Sequence, residues 1–242
     1  MRTPFIAQLR AELIMTLRRG ESVLLTLGIP VLLLVFFSLV DVLPTGTDKS
    51  VDFLAPSTLA LAVLSMAMVG TAIATAFERE YGVLKRLGTT PLGRPRLLGA
   101  KVVSILVVEV LQIVVLTLVA AALGWRPPLS GLGPAALAAV LGTVAFAGIG
   151  LLMAGTLRAT VVLAGANGLY LVLLLISGII VPLVKLPRVV RWVAELLPSS
   201  ALSDIMHGSL MDGGVVPARA WLVLVMWAVA APLAATKWFR WE

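Results

Sequence analysis

Residues 78–101 read EREYGVLKRLGTTPLGRPRLLGAK, and this stretch decides how the chain is organised. It places eight charged side chains between two long apolar runs, more than any other segment of similar length. Gly88 can end a helix in a left-handed conformation, and Pro91 prevents a simple continuation. The pattern predicts a short helix over residues 80–87, a turn at 88–91 and then a return into an apolar helix.

The predicted short helix has two chemically different sides. Tyr81, Leu84 and Leu87 give it an apolar side, while Lys85 and Arg86 give it a basic side. A short amphipathic helix at a membrane surface suits contact with a soluble partner. The alternative is an ordinary solvated loop that only sets topology, and the local pattern leaves both interpretations open.

The composition places the chain in a membrane. It has 242 residues, of which 60% are hydrophobic and 13% are charged, and its mean hydropathy is +1.07. Soluble domains have roughly 45–50% apolar and about 25% charged residues. The apolar residues fall in blocks of the length, about 20 residues, that spans a bilayer. We therefore predict an all-α polytopic membrane protein.

The same pattern predicts one domain, 1–242, with six spans. The first 21 residues have leucines at four-residue spacing and predict an amphipathic helix on the membrane surface rather than a signal peptide. The predicted transmembrane spans are 22–40, 55–77, 102–124, 134–157, 161–181 and 217–236. Residues 182–216 are too long for a simple turn and contain short amphipathic stretches that predict a segment in or on the outer leaflet.

The distribution of basic residues predicts the orientation. With the N-terminus inside, 13 Lys and Arg residues face the cytoplasm and 6 face the other side. Cytoplasmic segments carry the excess of Lys and Arg in most membrane proteins. We therefore expect a multi-pass plasma-membrane protein with both termini cytoplasmic. The net charge of +7 belongs to the flanks of apolar spans, so it does not indicate nucleic-acid binding.

Motifs for chemistry are missing from the sequence. There is no cysteine, no phosphate-binding loop and no glycine-rich dinucleotide fingerprint. The one histidine, His207, has no acid placed beside it in the sequence, and we interpret it as an interfacial polar residue. Glu109 lies well inside the third span, with Gln112 one turn later; an acid there is either functional or a buried, hydrogen-bonded carboxyl. Small residues of the fourth span, including Ala139 and Ala147, predict close helix packing.

Two groups of residues carry a family resemblance. The stretch 78–101 looks like the loop after the second span in ABC type-2 exporter permeases, on the motif Glu78-Arg79-Glu80-x-Gly82-x-Leu84-Lys85-Arg86-Leu87-x-x-Thr90-Pro91-Leu92 followed by Arg94, Leu97 and Lys101. The stretch 177–204 is similar to the segment before the sixth span in the drug-resistance and polyketide-antibiotic branch, on Ser177-Gly178-Ile-Ile-Val-Pro182-Leu183, Leu186-Pro187, Leu197-Pro198 and Asp204. Arg188 and His207 depart from the family's usual residues.

The resemblance implies the transmembrane permease subunit of an ATP-driven bacterial exporter of amphiphilic molecules such as drugs, antibiotics or lipid-like compounds. It implies a second permease subunit and a separate cytoplasmic ABC ATPase, which would hold the ATP and magnesium, so the chain itself needs no cofactor and is no enzyme. By the same resemblance, the residues that couple to the ATPase are Tyr81, Leu84, Lys85, Arg86, Leu87, Thr90, Pro91 and Arg94. Those of the outer lid are Gly178, Pro182, Pro187, Pro198 and Asp204.

Two other classes of protein remain to be weighed. A proton-coupled secondary carrier would use Glu109 as its proton site, but such carriers show internal repeats that we do not find between the two halves. An intramembrane enzyme would need a nucleophile with a nearby base, and the sequence shows no such pair. Dependence on ATP rather than on an ion gradient would distinguish the exporter from the carrier.

Overall fold

The computed structural model describes residues 4–18, 20–40, 49–88, 94–180 and 183–240. Every regular element in these ranges is helical, which confirms the all-α prediction. The helices are α1 (Pro4–Arg18), α2 (Gly20–Leu39), α3 (Ser50–Leu64), α4 (Thr71–Glu80), α5 (Val83–Gly88), α6 (Arg94–Ala122), α7 (Leu129–Thr156), α8 (Ala159–Ile176), α9 (Arg188–Ala194), α10 (Pro198–Leu210) and α11 (Ala218–Trp238). A π-helical turn, Ser65–Gly70, joins α3 to α4, and Leu183–Lys185 form a 3₁₀ turn.

Within the described ranges, five helical stretches are long and apolar enough to cross a membrane. They are Ser50–Glu80, Arg96–Ala122, Leu129–Thr156, Ala159–Ile176 and Ala218–Trp238. The first of the six predicted spans, 22–40, falls on α2, whose apolar part Leu27–Leu39 is shorter than these. The chain is therefore a polytopic helical membrane protein, and α9 and α10 are too short to cross, as the sequence predicts.

Helix α7 occupies the centre because its surface lets other helices approach closely. It packs on α11, α10 and α4, and most of its small residues are buried. A Cβ atom at Gly150 would lie 2.6 Å from the carbonyl oxygen of Met68, and one at Gly148 would lie 2.6 Å from the backbone nitrogen of Pro232. Small residues allow such backbone approach in lipid. The prediction that the fourth span packs through its small residues is thus confirmed.

The second span is continuous but contains an irregular turn that the sequence did not predict. Residues Ser65–Gly70 adopt π-helical geometry, and the Thr71 hydroxyl donates to the Met66 carbonyl oxygen at 3.5 Å, five residues earlier. Gly150 of α7 lies against this turn, at the Met68 carbonyl. Short π-helical turns inside α-helices occur frequently at functional sites.

The bundle has two ends with different contents. We call the end that holds α1, α5 and Phe239 the proximal end, and the opposite end, which holds α9 and α10, the distal end. At the proximal end, α1 packs on α6, and the backbone N–H of Arg240 donates to the Gly155 carbonyl at 3.1 Å. At the distal end, α10 packs on α7, α3 and α11.

Candidate coupling site

The segment between the second and third spans is built differently from the predicted helix at 80–87. Helix α4 continues to Glu80, and the chain then turns at Tyr81 and Gly82 before α5 begins at Val83. Gly82 has a φ of +71°, a conformation that a residue with a Cβ atom rarely adopts. The left-handed glycine of this segment is therefore Gly82, whereas Gly88, predicted for that role, lies within α5.

Leu84 points into the protein rather than outward. Its exposed fraction is 0%, and it belongs to a buried cluster with Leu97, Leu98, Leu151, Ala235 and Phe239. Tyr81, by contrast, is 73% exposed, so Tyr81 and Leu84 do not share one apolar face. Leu84 packs against residues of α6, α7 and α11. In an isolated amphipathic helix the same leucine would be exposed and available to a partner. Leu84 can therefore act on docking only by holding α5 in place.

The outward surface of the same segment consists of Tyr81, Val83 and Lys85, which are all exposed. The Tyr81 ring stacks on Phe77 of α4, with ring centroids 6.0 Å apart. This contact fixes the aromatic ring at the tip of the turn. Of the other predicted coupling residues, Thr90 and Pro91 lie outside the described residues, as do the side chains of Arg86, Leu87 and Arg94.

A buried ion cluster lies directly behind this surface. The ammonium of Lys101 on α6 is 2.9 Å from a Glu12 carboxylate oxygen on α1 and 2.6 Å from a Glu78 carboxylate oxygen on α4. The Gln8 amide donates a hydrogen bond to Glu12 at 2.8 Å. Lys101 is only 4% exposed, and Gln8 and Glu12 are buried too. The polar side of the N-terminal helix therefore faces the protein.

Arg79 connects the same region to the turn after the fourth span. Its guanidinium donates to the carbonyl oxygen of Leu157, which follows α7. The end of the second span is thus connected to α6 through the Glu78–Lys101 pair, and Lys101 in turn contacts Glu12 of α1. Arg79 connects the end of the second span to the end of the fourth span. The sequence predicted neither pairing, because both join residues from distant parts of the chain.

Glu109 lies inside the bundle, between the third and fourth spans. It is 2% exposed and accepts a hydrogen bond from the Thr143 hydroxyl on α7. Its second oxygen, Oε1, is buried and has no hydrogen-bond partner among the described residues. Gln112, one turn later on α6, is buried as well. The structure thus places both predicted intramembrane polar residues in the interior, away from the lipid-facing side of α6.

Three of the predicted lid residues lie next to or at a helix end at the distal end, and Asp204 lies within α10. Gly178 follows α8 with a φ of +82°, Pro187 precedes α9, and Pro198 is the first residue of α10. Pro182 lies outside the described residues. Asp204 is 3.5 Å from the Arg219 guanidinium, which also pairs with Glu195. Burial raises the pKa of Asp204, and the nearby Arg219 opposes that effect.

His207 is a residue whose role the sequence did not reveal. From the sequence we interpret it as an interfacial polar residue, and the structure places its ring between α10 and α3. Its Nε2 is 3.0 Å from the Ser57 hydroxyl, and its Nδ1 is 2.8 Å from the Ser203 carbonyl oxygen. Burial lowers the pKa of His207, while the neighbouring backbone carbonyls of Ser203 and Phe53 oppose that shift. No sequence pattern links Ser57 to a residue 150 positions away.

The described residues contain no candidate metal site. Their His, Asp and Glu side chains form no group of three that could hold a metal ion. The features that stand out are the exposed Tyr81 turn and the buried charges behind it.

The fold and this site define a class: a polytopic helical membrane protein with a short helix exposed between its second and third spans. A family model described as ABC-2 type transporter matches residues 3–211, so the chain belongs to the ABC-2 type transporter family. A search of curated proteins found no match. The chain is therefore a transmembrane permease subunit of an ABC transporter, and the family implies an ABC ATPase partner.

Proposed function

We propose that the chain is the membrane half of an ATP-driven exporter of amphiphilic molecules in a bacterial plasma membrane. In this proposal the ATPase binds the turn at Tyr81 and holds the ATP and magnesium. The observation that carries the proposal is the outward surface of Tyr81, Val83 and Lys85, which is fixed to the second and third spans. A partner that pushes on this turn would act directly on both spans.

The drug-resistance branch and the amphiphilic substrate rest on the sequence resemblance and on the character of the spans. The candidate spans are apolar and carry few charged residues, which suits drugs, antibiotics or lipid-like molecules more than sugars or ions. The lid residues at Gly178, Pro187, Pro198 and Asp204 would then close the distal side of the pathway, together with Pro182.

A second permease subunit is supported by the exposed side of α8. Asn167 is exposed in the middle of this candidate span, with Ala164 and Gly168 exposed beside it. The Asn167 side-chain nitrogen donates to the Leu163 carbonyl oxygen at 2.7 Å, within α8. A polar amide exposed to lipid hydrocarbon is still unfavourable, and small residues let another helix approach. A second permease, either a copy of this chain or a relative, would cover this side. Disulfide formation between copies carrying Asn167→Cys in native membranes tests the homodimer, because the chain has no other cysteine.

The orientation in the membrane can be tested with the same cysteine-free background. Val83→Cys at the proximal end should react with an impermeant thiol reagent only from the cytoplasmic side, and Trp192→Cys at the distal end only from outside. Both positions are exposed in the structure. Labelling of both cysteines from the same side would contradict the proposal that the termini are cytoplasmic.

Docking is tested by co-purifying the tagged chain with the ABC ATPase subunit of its host in detergent. Tyr81→Ala should weaken binding about tenfold, because exposed aromatic residues at the centre of an interface often contribute 1 kcal/mol or more. Trp192→Ala is the matched control, since Trp192 is also an exposed aromatic residue, at 72%, but lies at the distal end. Equal binding by wild type and Tyr81→Ala would exclude this turn as the docking surface.

A proton-coupled carrier is the second candidate, and Glu109 is the observation that favours it. Its buried carboxyl has one oxygen without a hydrogen-bond partner among the described residues. Glu109→Gln keeps the size of the side chain and its bond from Thr143 but removes titration. Transport that needs an ion gradient, continues without ATP and is lost in Glu109→Gln would support the carrier. ATP-dependent transport that is unchanged in Glu109→Gln at all pH values would leave Glu109 a structural residue.

A further inference from the structure

We infer that Lys101 is a positioning residue that joins α1 and both ends of the ATPase-facing segment into one moving unit. The inference rests on the proposed docking of an ATPase at Tyr81, and it concerns how a push at that turn would reach the spans. Lys101 itself would touch neither the ATPase nor the transported molecule. Its role would be to keep α1, α4 and α6 together while they move.

The positions of the three charged residues carry this inference. Glu78 lies three residues before Tyr81, near the end of α4, and Lys101 lies seven residues, about two turns, into α6. Their contact at 2.6 Å therefore joins the two ends of the segment that connects the second and third spans. Glu12, at 2.9 Å from Lys101, adds the N-terminal helix to the same junction. Three helices that are separate along the chain share a single ammonium group.

Energetics argue that stability alone does not account for the cluster. Moving charges out of water costs several kcal/mol per ion, and attraction between them recovers this only when geometry and hydrogen bonding are good. Apolar residues of similar volume are often as stable or more stable. In some proteins a buried polar group fixes the register or arrangement of helices at a cost in stability. The cluster is therefore well suited to specifying how α1, α4 and α6 sit together.

The connections around the cluster show where a movement of this unit would go. Glu78 and Lys101 belong to the second and third spans, so a displaced turn carries both of them. Arg79 passes the displacement to the carbonyl of Leu157 at the end of α7. Because α7 packs on α10 and α11, the distal end lies on the same path. Loss of the ammonium would weaken the direct link that joins α4, α6 and α1 behind the turn.

The experiment separates this role from a merely structural one by comparing two variants. Lys101→Met removes the ammonium but leaves Glu12 and Glu78 facing each other, which should lower stability as well as transmission. The neutral triple variant Glu12→Gln/Glu78→Gln/Lys101→Met removes all three described charges of the cluster, so it should regain stability relative to Lys101→Met while still lacking the ion pairs. Arg191→Gln is the control, because Arg191 forms a half-exposed ion pair with Glu195 at the distal end.

The first measurement needs no ATPase. Spin labels on Arg10→Cys and Val83→Cys, both exposed, report the distance between α1 and α5 in lipid nanodiscs. The wild-type cluster and Arg191→Gln should give one narrow distance distribution. The triple variant should give a broad or shifted one, at a thermal stability close to that of wild type. An unchanged distribution in the triple variant would overturn the inference even if docking is correct.

The second measurement tests transmission in the complex with the host's ABC ATPase. Labels on Leu129→Cys and Trp192→Cys, both exposed, report an ATP-dependent distance change at the distal end. In the triple variant we expect ATPase binding and ATP hydrolysis to persist while the responding fraction falls about tenfold, within the range typical of coupling between sites. A full distal response would overturn the inference. If the wild-type chain does not bind the ATPase at all, the proposed function is wrong instead.

If the triple variant does not fold, Glu12→Met supplies the same test on one helix. It keeps the Lys101–Glu78 pair and should release α1 alone. The Arg10–Val83 distance should then broaden, while the distal response to ATP decreases less than in the triple variant. A narrow, unchanged Arg10–Val83 distribution in Glu12→Met would contradict the role of the cluster in holding α1.

Discussion

At each end of the bundle a cation lies between two carboxylates, but in very different surroundings. At the proximal end, Lys101 lies between Glu12 and Glu78, and its side chain is 5% exposed. At the distal end, Arg219 lies between Glu195 and Asp204, and its side chain is 43% exposed. Removal of the central cation should therefore have different consequences at the two ends. Removing one member of a buried pair leaves an uncompensated charge, whereas water screens a half-exposed pair.

The difference also separates two kinds of mechanical role. The proximal cluster joins three helices directly behind the turn at Tyr81, so it can hold them in one arrangement. The distal network joins α9, α10 and α11 while remaining accessible to water, so its bonds can exchange with solvent at little cost. We expect the proximal end to move as a unit and the distal end to rearrange more easily, which suits a lid.

The largest effect is expected from Lys101→Met. Breaking a buried pair costs about 3–5 kcal/mol, so the free energy of unfolding in detergent should fall by an amount of this order. Arg219→Met is the matched change at the distal end and should cost about 1 kcal/mol or less, with a dependence on salt that Lys101→Met lacks. Equal losses in the two variants would remove the proposed difference between the ends.

The next largest effect is expected from Leu84→Asp. A carboxylate buried in the apolar cluster of Leu97, Leu98 and Phe239 loses its hydration, and this should cost several kcal/mol. Val83→Asp, the neighbouring and exposed position, is the control and should change stability by less than about 0.5 kcal/mol. We expect proteolysis to cut the segment around α5 faster in Leu84→Asp only. Equal protection of the two variants would mean that Leu84 is not buried in the membrane-embedded protein.

Acidification is expected to have a smaller effect on the free energy of unfolding, through His207 at the distal end. The pKa of His207 is lowered in the folded protein relative to its ordinary value near 6.5, so the unfolded state binds the proton more tightly. The stabilising contribution is present above pH 6.5 and is lost as the pH falls through 6.5 towards the lower folded pKa. His207→Gln should therefore show a weaker loss of stability between pH 7.5 and about pH 5. Identical pH profiles for wild type and His207→Gln would contradict this assignment.

The smallest effect is expected from Arg191→Gln. Arg191 forms an exposed i, i+4 pair with Glu195 at 3.0 Å, and such helix pairs contribute about 0.3–0.5 kcal/mol. Glu195 keeps Arg219 as a partner, so no charge is left alone. Unfolding of the variant should be nearly superimposable on that of wild type. A loss above about 1 kcal/mol would show that the distal network is less screened than its exposure indicates.

Some features followed from local sequence because their physical cause is local. Long apolar runs predicted the helices that can cross a membrane, since backbone groups in lipid must be satisfied within a helix. The small residues of α7 predicted close packing, and the charges of residues 78–101 predicted a break between spans. The resemblance of this stretch also predicted the family. The helices and the predicted spans differ at their ends by up to eight residues: α6 begins at Arg94, eight residues before its predicted span, whereas α8 ends at Ile176, five residues before the predicted end of its span.

Other predictions failed because their cause lies in contacts between distant residues. The isolated pattern at 80–87 groups Tyr81 with Leu84, yet the cluster formed with Phe239 turns Leu84 inward. Gly82 rather than Gly88 takes the left-handed conformation, because the second span continues to Glu80 before the chain turns. The coupling role of this segment stays a prediction, as does the functional role of Glu109.

The sequence by itself determined that this chain crosses a membrane as helices and exposes a charged segment between two of them, because hydropathy and helix-breaking residues act over a few turns. Only the tertiary structure decided which charges meet. Glu12, Glu78 and Lys101 read as separate polar residues along the chain, and so do Ser57 and His207. Their pairing depends on how the helices pack, and only packing can bring a charge close enough to its partner to offset the cost of removing both from water.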